Sequence, residues 1–97
     1  MRTIKDVKNA LSKHKASLLR AFNLKEIAVF GSCVRGEMSE DSDIDILVDF
    51  VEPISFFSFL DLEERLQGIL GAKVDLVSKD ALKPTIGARI LKEAVAI

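Results

Sequence analysis

The segment SDIDILVDF, residues 42–50, constrains the fold more than any other part of the chain. From Asp43 to Phe50, residues that favour a buried face alternate with others, which predicts a strand with one apolar side. Asp43 and Asp45 then share the opposite side, because side chains two residues apart in a strand point the same way. Two carboxylates about 4 Å apart repel by roughly 4 kcal/mol at an effective dielectric constant near 20. The pair therefore needs either a proton or a divalent cation.

Helix and strand signals alternate along the rest of the chain. Apolar residues at helical spacing predict helices, and short β-rich runs predict strands. The predicted elements, in chain order, are a helix over 4–22, a strand over 26–30, one helical turn within 33–38, a loop over 39–42, a strand over 43–50, a helix over 55–70, a strand over 73–78, a short helix over 85–94 and a last strand over 95–97. This order predicts a single small α/β (α+β) domain over residues 1–97, with a mixed three- to four-stranded sheet packed with helices.

Several details of the two long helices follow from the same pattern. Thr3 with Asp6 is expected to cap the first helix, and Gly71 is expected to end the second. His14 falls near the apolar stripe of the first helix and, as the only histidine in the chain, is interpreted as a partly buried structural residue. The apolar stripe of the second helix is predicted to consist of Phe56, Phe59, Leu60, Leu66, Ile69 and Leu70.

Composition narrows the class of protein. With 97 residues, 48% hydrophobic and 30% charged, the chain is typical of a soluble globular domain. It has neither an apolar run of about 20 residues for a membrane helix nor a signal-peptide core. Its one cysteine, Cys33, allows no internal disulfide and favours a cytoplasmic location. Residues 1–25 hold seven Lys and Arg against one Asp, whereas seven acids lie between Glu37 and Glu52, a cluster that favours a cation or a basic partner.

A third carboxylate and a glycine turn extend the candidate site. Asp75 lies in the predicted strand 73–78, and neighbouring strands are about 4.8 Å apart, so Asp75 is placed to complete a three-carboxylate cluster. Such oxygen ligands suit Mg²⁺ or Mn²⁺, and Mg²⁺ usually keeps positions open for substrate phosphates. Gly31 and Ser32 follow a strand, where the backbone N–H groups and the serine hydroxyl can donate to phosphate. Arg35 is placed to add a charged donor.

Two other motifs fit the sequence less well. The glycines of GSCVRGEM have P-loop spacing, but Glu37 and Met38 stand where Lys and Ser or Thr are required, and an acid there repels phosphate. Acids from Asp41 to Glu52 have the spacing of a calcium-binding EF-hand loop. Ile46, however, occupies the position that needs glycine for the sharp turn of that loop.

A glycine-serine pair, ten intervening residues and then Asp-x-Asp, here Gly31-Ser32 through Asp43-Ile44-Asp45, resembles the signature of the DNA polymerase β-like nucleotidyltransferase superfamily. The segments SDIDILVDF, FLDLEERL and KVDLVS are similar to sequences of its minimal nucleotidyltransferase branch. The resemblance covers nearly the whole chain. The resemblance implies a polymerase β palm-like fold. It also implies an MntA-type antitoxin from a two-gene module, whose partner is a HEPN-domain ribonuclease toxin.

The resemblance further implies transfer of AMP from ATP to a tyrosine hydroxyl near the active site of the toxin. By position, Asp43 and Asp45 would bind two Mg²⁺ ions. Asp75 would bind the catalytic metal and help to deprotonate the attacking hydroxyl. Gly31 and Ser32 would hold the β- and γ-phosphates.

Two more residues of the signature depend on the same resemblance. Arg35 matches a basic residue that is common in the motif. Cys33 stands where the family often has a larger residue, and the N–H groups of the turn would favour its thiolate form.

The sequence leaves three functions open. The first is a catalytic antitoxin, the second an antitoxin that blocks its toxin by contact alone, and the third an enzyme that modifies a small molecule or an RNA end. The chain has no tyrosine, so a tyrosine acceptor must belong to another chain. The absence of Trp and Tyr disfavours direct nucleic-acid binding. The sequence does not determine whether the chain forms a homo-oligomer or a hetero-oligomer. It also does not determine which nucleotide base the site prefers.

Overall fold

The computed structural model describes residues 3–39 and 41–97. Its elements are α1 (Ile4–Phe22), β1 (Leu24–Phe30), α2 (Ser32–Arg35), β2 (Ile44–Phe50), α3 (Phe56–Leu70), β3 (Val74–Ser78), a 3-10 turn (Lys79–Ala81), α4 (Pro84–Glu93) and β4 (Val95–Ala96). The predicted order of helices and strands is confirmed. The largest differences are β1, which begins two residues earlier than predicted, and the short helical turn, which ends three residues earlier. The predicted loop over 39–42 is irregular at its described positions, and Glu40 lies outside the described residues.

Both long helices begin and end where local chemistry stops the helical hydrogen bonding. The Asp6 N–H donates to the Thr3 hydroxyl at 3.2 Å, which caps α1 as predicted. Ser55 caps α3 in the same way, and Gly71 ends α3 in the left-handed region at φ 63°. These two caps limit α3 to the stretch between β2 and β3.

The sheet is mixed and has four strands in the order β3-β2-β1-β4. Strand β1 is antiparallel to both β2 and β4, whereas β2 and β3 are parallel. The parallel pair is possible because α3 connects the end of β2 to the start of β3 across the sheet. The prediction of an α+β domain with a mixed three- to four-stranded sheet is therefore confirmed, and the sheet has four strands.

Helices cover both faces of the sheet, but unequally. Helices α1 and α3 pack on one face and form the main core with Ile27, Ile46 and Val48. On the other face, α4 covers a smaller cluster built around Phe30 and Leu47. Because Leu47 shares its face with Asp45, the aspartates of β2 lie beside a packed apolar cluster rather than on an open surface.

Two sequence predictions about burial are wrong. Phe56 and Leu60 are exposed on α3, and Leu62, which the predicted stripe omitted, is fully buried. At 100° per residue, Phe56 and Leu60 lie more than 100° around the helix from Leu62, so they point away from the sheet. His14 is also exposed rather than partly buried. Among the described residues, no helix combines the length and apolar character needed to cross a bilayer.

Candidate active site

Asp45 and Asp75 are brought together by the register of the two parallel strands. They are direct partners in the pairing of β2 with β3. The Ile44 N–H donates to the Lys73 carbonyl at 2.9 Å, and the Val74 N–H donates to the Gln67 side chain at 3.2 Å. These bonds fix the start of both strands, and therefore the relative position of the two carboxyl groups.

Burial and the neighbouring carboxyl group both act on the protonation of Asp45. Burial raises the pKa of Asp45 to about 6, and the charge of Asp75, a hydrogen bond with its carboxyl group and the charge of Asp43 act in the same direction. Arg35 opposes the shift only in part. The repulsion that the sequence predicted is therefore present, although Asp75 rather than Asp43 is its main source.

Asp43 lies just before β2 and is exposed, so it influences Asp45 by charge from outside the strand. Within residues 3–39 and 41–97, no three His, Cys, Asp or Glu side chains are grouped as a ready-made metal centre. Mg²⁺ needs only one or two carboxylates, since water and substrate phosphates complete its shell. The adjacent Asp45 and Asp75, with Asp43 nearby, fit that requirement.

Asp49 differs from these aspartates although it shares the strand face of Asp45. The Lys79 ammonium lies 3.9 Å from the Asp49 carboxylate and supplies a positive charge. Asp49 is therefore compensated within the chain, whereas Asp45 faces a second carboxyl group.

Gly31 places the predicted phosphate turn against Asp45. It has φ 75°, a left-handed value that favours glycine. A Cβ atom at this position would lie 2.1 Å from Oδ2 of Asp45. Ser32 follows as the first residue of α2, and its hydroxyl contacts the Met38 sulfur at 3.4 Å. The structure thus brings the turn and the carboxyl pair together, as the sequence predicted.

Arg35 is held between two carboxylates. Its Nε donates to Glu37 and its Nη1 to Glu93, both at 2.5 Å. The hydrogen bond to Glu37 and then the hydrogen bond to Glu93 raise the pKa of Arg35 above its ordinary value, so the guanidinium stays charged. A cavity of about 630 Å³ opens between this turn and α4, lined by Phe30, Gly31, Arg35, Ile86, Arg89, Ile90, Lys92 and Glu93.

Glu93 is a site residue that the sequence analysis missed. Its Oε2 accepts the Gly31 N–H at 3.1 Å while Oε1 accepts from Arg35. Burial alone would raise the pKa of Glu93, but the hydrogen bonds from Arg35 and Gly31 outweigh it and hold the pKa below its usual range. No spacing motif connects a lone glutamate at the end of a helix to a turn 62 residues earlier, so only the fold reveals this contact.

The suggestion of a reactive Cys33 is wrong. Its side chain is buried, and burial, assisted by the charge of Asp45, raises the pKa of the Cys33 thiol. A raised pKa disfavours the thiolate that is needed for nucleophilic chemistry. Cys33 therefore contributes to the core.

The family model for the nucleotidyltransferase domain matches residues 11–97. This chain belongs to that family. It is 48% identical to a protein adenylyltransferase, MntA, of Thermococcus cleftensis, over 100% of this chain and 98% of the relative.

Solved structures agree with this membership. A minimal nucleotidyltransferase matches at a TM-score of 0.78 and 35% identity, covering 94% of this chain and 95% of its own. A chain of a toxin–antitoxin complex with AMP-PNP matches at a TM-score of 0.72 and 26% identity, covering 87% of this chain and 69% of its own length.

The two parts of the site offer different chemical groups to a nucleotide. The carboxyl pair supplies negative oxygen atoms, and the Gly31 turn with Arg35 supplies hydrogen-bond donors beside them. Donors suit the phosphates of a nucleotide, and carboxylates suit the cation that accompanies those phosphates. Gly31 lies directly against the Asp45 carboxyl group, so the turn and the carboxyl pair are close neighbours.

Proposed function

We propose that this nucleotidyltransferase transfers AMP from ATP to a tyrosine hydroxyl of a HEPN-type toxin and thereby acts as a cytoplasmic antitoxin. Residues 1–97 would serve as one nucleotidyltransferase domain. The observation that carries the proposal is the pairing of Asp45 with Asp75 directly beside the Gly31 turn. The adenylyltransferase name of the Thermococcus relative and the toxin–antitoxin complex of similar fold support it.

The proposed reaction exchanges the phosphoanhydride bond between the α- and β-phosphates of ATP for a phosphodiester bond to the acceptor. The acceptor oxygen forms a bond to the α-phosphorus, the bond from that phosphorus to the β-phosphate oxygen breaks, and pyrophosphate leaves. Asp75 is assigned as the acceptor of the hydroxyl proton, together with a ligand role shared with Asp43 and Asp45. Mg²⁺ held by these aspartates would neutralise phosphate charge and lower the pKa of the attacking hydroxyl.

The phosphate turn would position the leaving group. We assign Gly31 and Ser32 to the β- and γ-phosphates. The Ser32 hydroxyl and Arg35 would act as donors, and Gly31, whose own N–H is bound to Glu93, would let the backbone approach the phosphates closely. The acceptor must come from another chain, because this one has no tyrosine. That requirement is consistent with a protein partner.

The test is a labelling experiment with ATP radiolabelled at the α-phosphate, Mg²⁺ and a HEPN-domain toxin, for which the neighbouring genes are searched first. We expect label on the partner, and loss of label when its tyrosine is replaced by Phe. Asp45→Asn and Asp75→Asn should each reduce labelling at least about 100-fold. Asp61→Asn, which changes an exposed acid on α3, should not. A well-folded chain that leaves the partner unlabelled would refute the proposal.

The non-catalytic alternative predicts a different outcome. If an Asp43→Asn/Asp45→Asn variant still neutralises the toxin without labelling it, contact alone accounts for the antitoxin effect. If neutralisation and labelling disappear together while the complex still forms, transfer is the cause. Complex formation is measured by gel filtration of the two chains.

A further inference from the structure

The end of α4 reaches back to the turn that begins α2. The Glu93 carboxylate uses both of its oxygen atoms there, one for the Gly31 N–H and one for the Arg35 guanidinium. Its side chain is only 25% exposed, against 52% for Arg35. One side chain of α4 therefore binds both a backbone group and a cationic group of the turn.

The Gly31 turn is packed closely against Asp45. The Gly31 backbone already lies against the Asp45 carboxyl group, since even one added carbon would overlap it. The Gly31 N–H donates to Glu93 of α4, so the hydrogen bond of this turn depends on a side chain outside β1 and α2. A shift of the turn would therefore change the distance between its donors and the carboxyl pair.

Arg35 depends on Glu93 in a similar way. Glu37 is only two residues away and 59% exposed, so it can follow Arg35 wherever that side chain moves. Glu93 is fixed on a ten-residue helix and belongs to the wall of the 630 Å³ cavity. Of the two carboxylates, Glu93 is the one that directs the guanidinium towards the cavity.

We propose that Glu93 is a positioning residue for nucleotide binding, holding the Gly31 turn and the Arg35 guanidinium where they receive the triphosphate. This inference rests on the proposed function, because the triphosphate is the ligand of that site. A competing interpretation is that Glu93 occupies the place of the phosphates and must be displaced. The two interpretations predict opposite changes in nucleotide affinity.

The experiment measures the Kd of a non-hydrolysable ATP analogue with Mg²⁺ by calorimetry. We expect Glu93→Ala to raise the Kd about tenfold or more, since hydrogen bonds to charged groups are among the stronger ones. Glu93→Gln keeps an acceptor for the Gly31 N–H but not the ion pair, and should give a smaller increase. Glu64→Gln, an exposed acid on α3, is the matched control and should leave the Kd unchanged.

A double-mutant cycle separates positioning from simple support of the fold. If Glu93 acts partly through Arg35, the effect of Glu93→Gln should fall below about twofold in an Arg35→Ala background. A lower melting temperature with an unchanged Kd, or a Kd that decreases, would overturn the inference. If the unmodified chain binds the analogue but never labels a HEPN partner, the proposed function fails while the role of Glu93 in binding is still measured.

Discussion

At the residue scale, Gly31 and Asp45 define the site through one close contact. Gly31 is required twice over, by its left-handed backbone and by the carboxyl group that fills the space a Cβ would need. Asp45 in turn is perturbed because it is partly buried beside Asp75. The charged form of Asp45 therefore costs stability, whereas Gly31 adopts without strain a backbone conformation that other residues disfavour.

Replacement of Gly31 and of Gly36 compares a crowded glycine with an open one. Gly36 has a similar φ, 73°, but lies in the left-handed helical region at ψ 25°, whereas Gly31 has ψ −150°, and nothing lies within 4 Å of the added Cβ of Gly36. Gly36→Ala should therefore cost only about 1 kcal/mol of unfolding free energy. Gly31→Ala should cost more and also reduce AMP transfer about 100-fold, because a displacement of about 1 Å at a reacting centre has an effect of that size. Urea denaturation and the labelling assay measure the two effects, and equal losses for both variants would contradict the overlap.

The raised pKa of Asp45 makes stability depend on pH in a defined direction. The folded chain binds the Asp45 proton more tightly than the unfolded chain, since its pKa of about 6 exceeds the ordinary 3.8. The resulting stabilisation is complete below about pH 3.8 and is lost as the pH rises through about 6. Without added metal, the melting temperature of Asp45→Asn relative to the unmodified chain should increase from pH 4 to pH 6.5 and then level off. A difference that does not change with pH would exclude the shift.

At the element scale, the two sides of α3 differ: one packs against the sheet and the other is exposed. Its inner side packs Leu62, Leu66 and Leu70 against the sheet, and its Gln67 side chain anchors the start of β3. The helix thus sets the parallel register that pairs Asp75 with Asp45. Its first turns, by contrast, expose Phe56 and Phe57, whose rings contact each other edge to face.

A pair of substitutions tests this division of α3. Phe57 is 77% exposed, so Phe57→Gln should change the unfolding free energy by no more than about 0.5 kcal/mol. Leu62 is fully buried, so Leu62→Ala should cost about 2–5 kcal/mol. Chemical denaturation of both variants provides the comparison. A large loss for Phe57→Gln would mean that the side chain has a packing role that its exposure does not indicate.

At the scale of the whole molecule, the sheet order brings distant segments to one place. Asp45 of β2 and Glu93 at the end of α4 both contact Gly31, which follows β1, and Asp75 of β3 is the strand partner of Asp45. The larger core on the opposite face supports this arrangement without contributing polar groups: among the described residues, no polar or charged residue is fully buried. The site is therefore coupled to the global fold rather than to any single loop.

Nucleotide binding should for this reason stabilise the entire chain. ATP analogue with Mg²⁺ at 100 times its Kd should add about 2.7 kcal/mol, which corresponds to a rise in melting temperature of about 10 °C or more for a chain of this size. An Asp45→Asn/Asp75→Asn variant should lose most of that rise, and removal of Mg²⁺ with EDTA should have the same effect on the unmodified chain. If the double variant is stabilised equally, the nucleotide binds away from the carboxyl pair.

The sequence by itself determined the local elements and the chemistry of the motif. Alternation and helical spacing predicted the order of elements, and the Gly-Ser turn with three strand aspartates predicted both halves of the site, because these signals lie within short stretches. The sequence predicted less well which helix side chains are buried, as Phe56 and His14 show. The side that a helix buries depends on how it packs against the sheet.

Only the tertiary structure decided which groups meet. It paired Asp45 with Asp75 more closely than with Asp43, buried Cys33, and brought Glu93 to a turn 62 residues away. The physical reason is that strand register and helix docking are set by the packing of the whole core. Contacts between distant segments follow from that packing and leave no trace in local spacing.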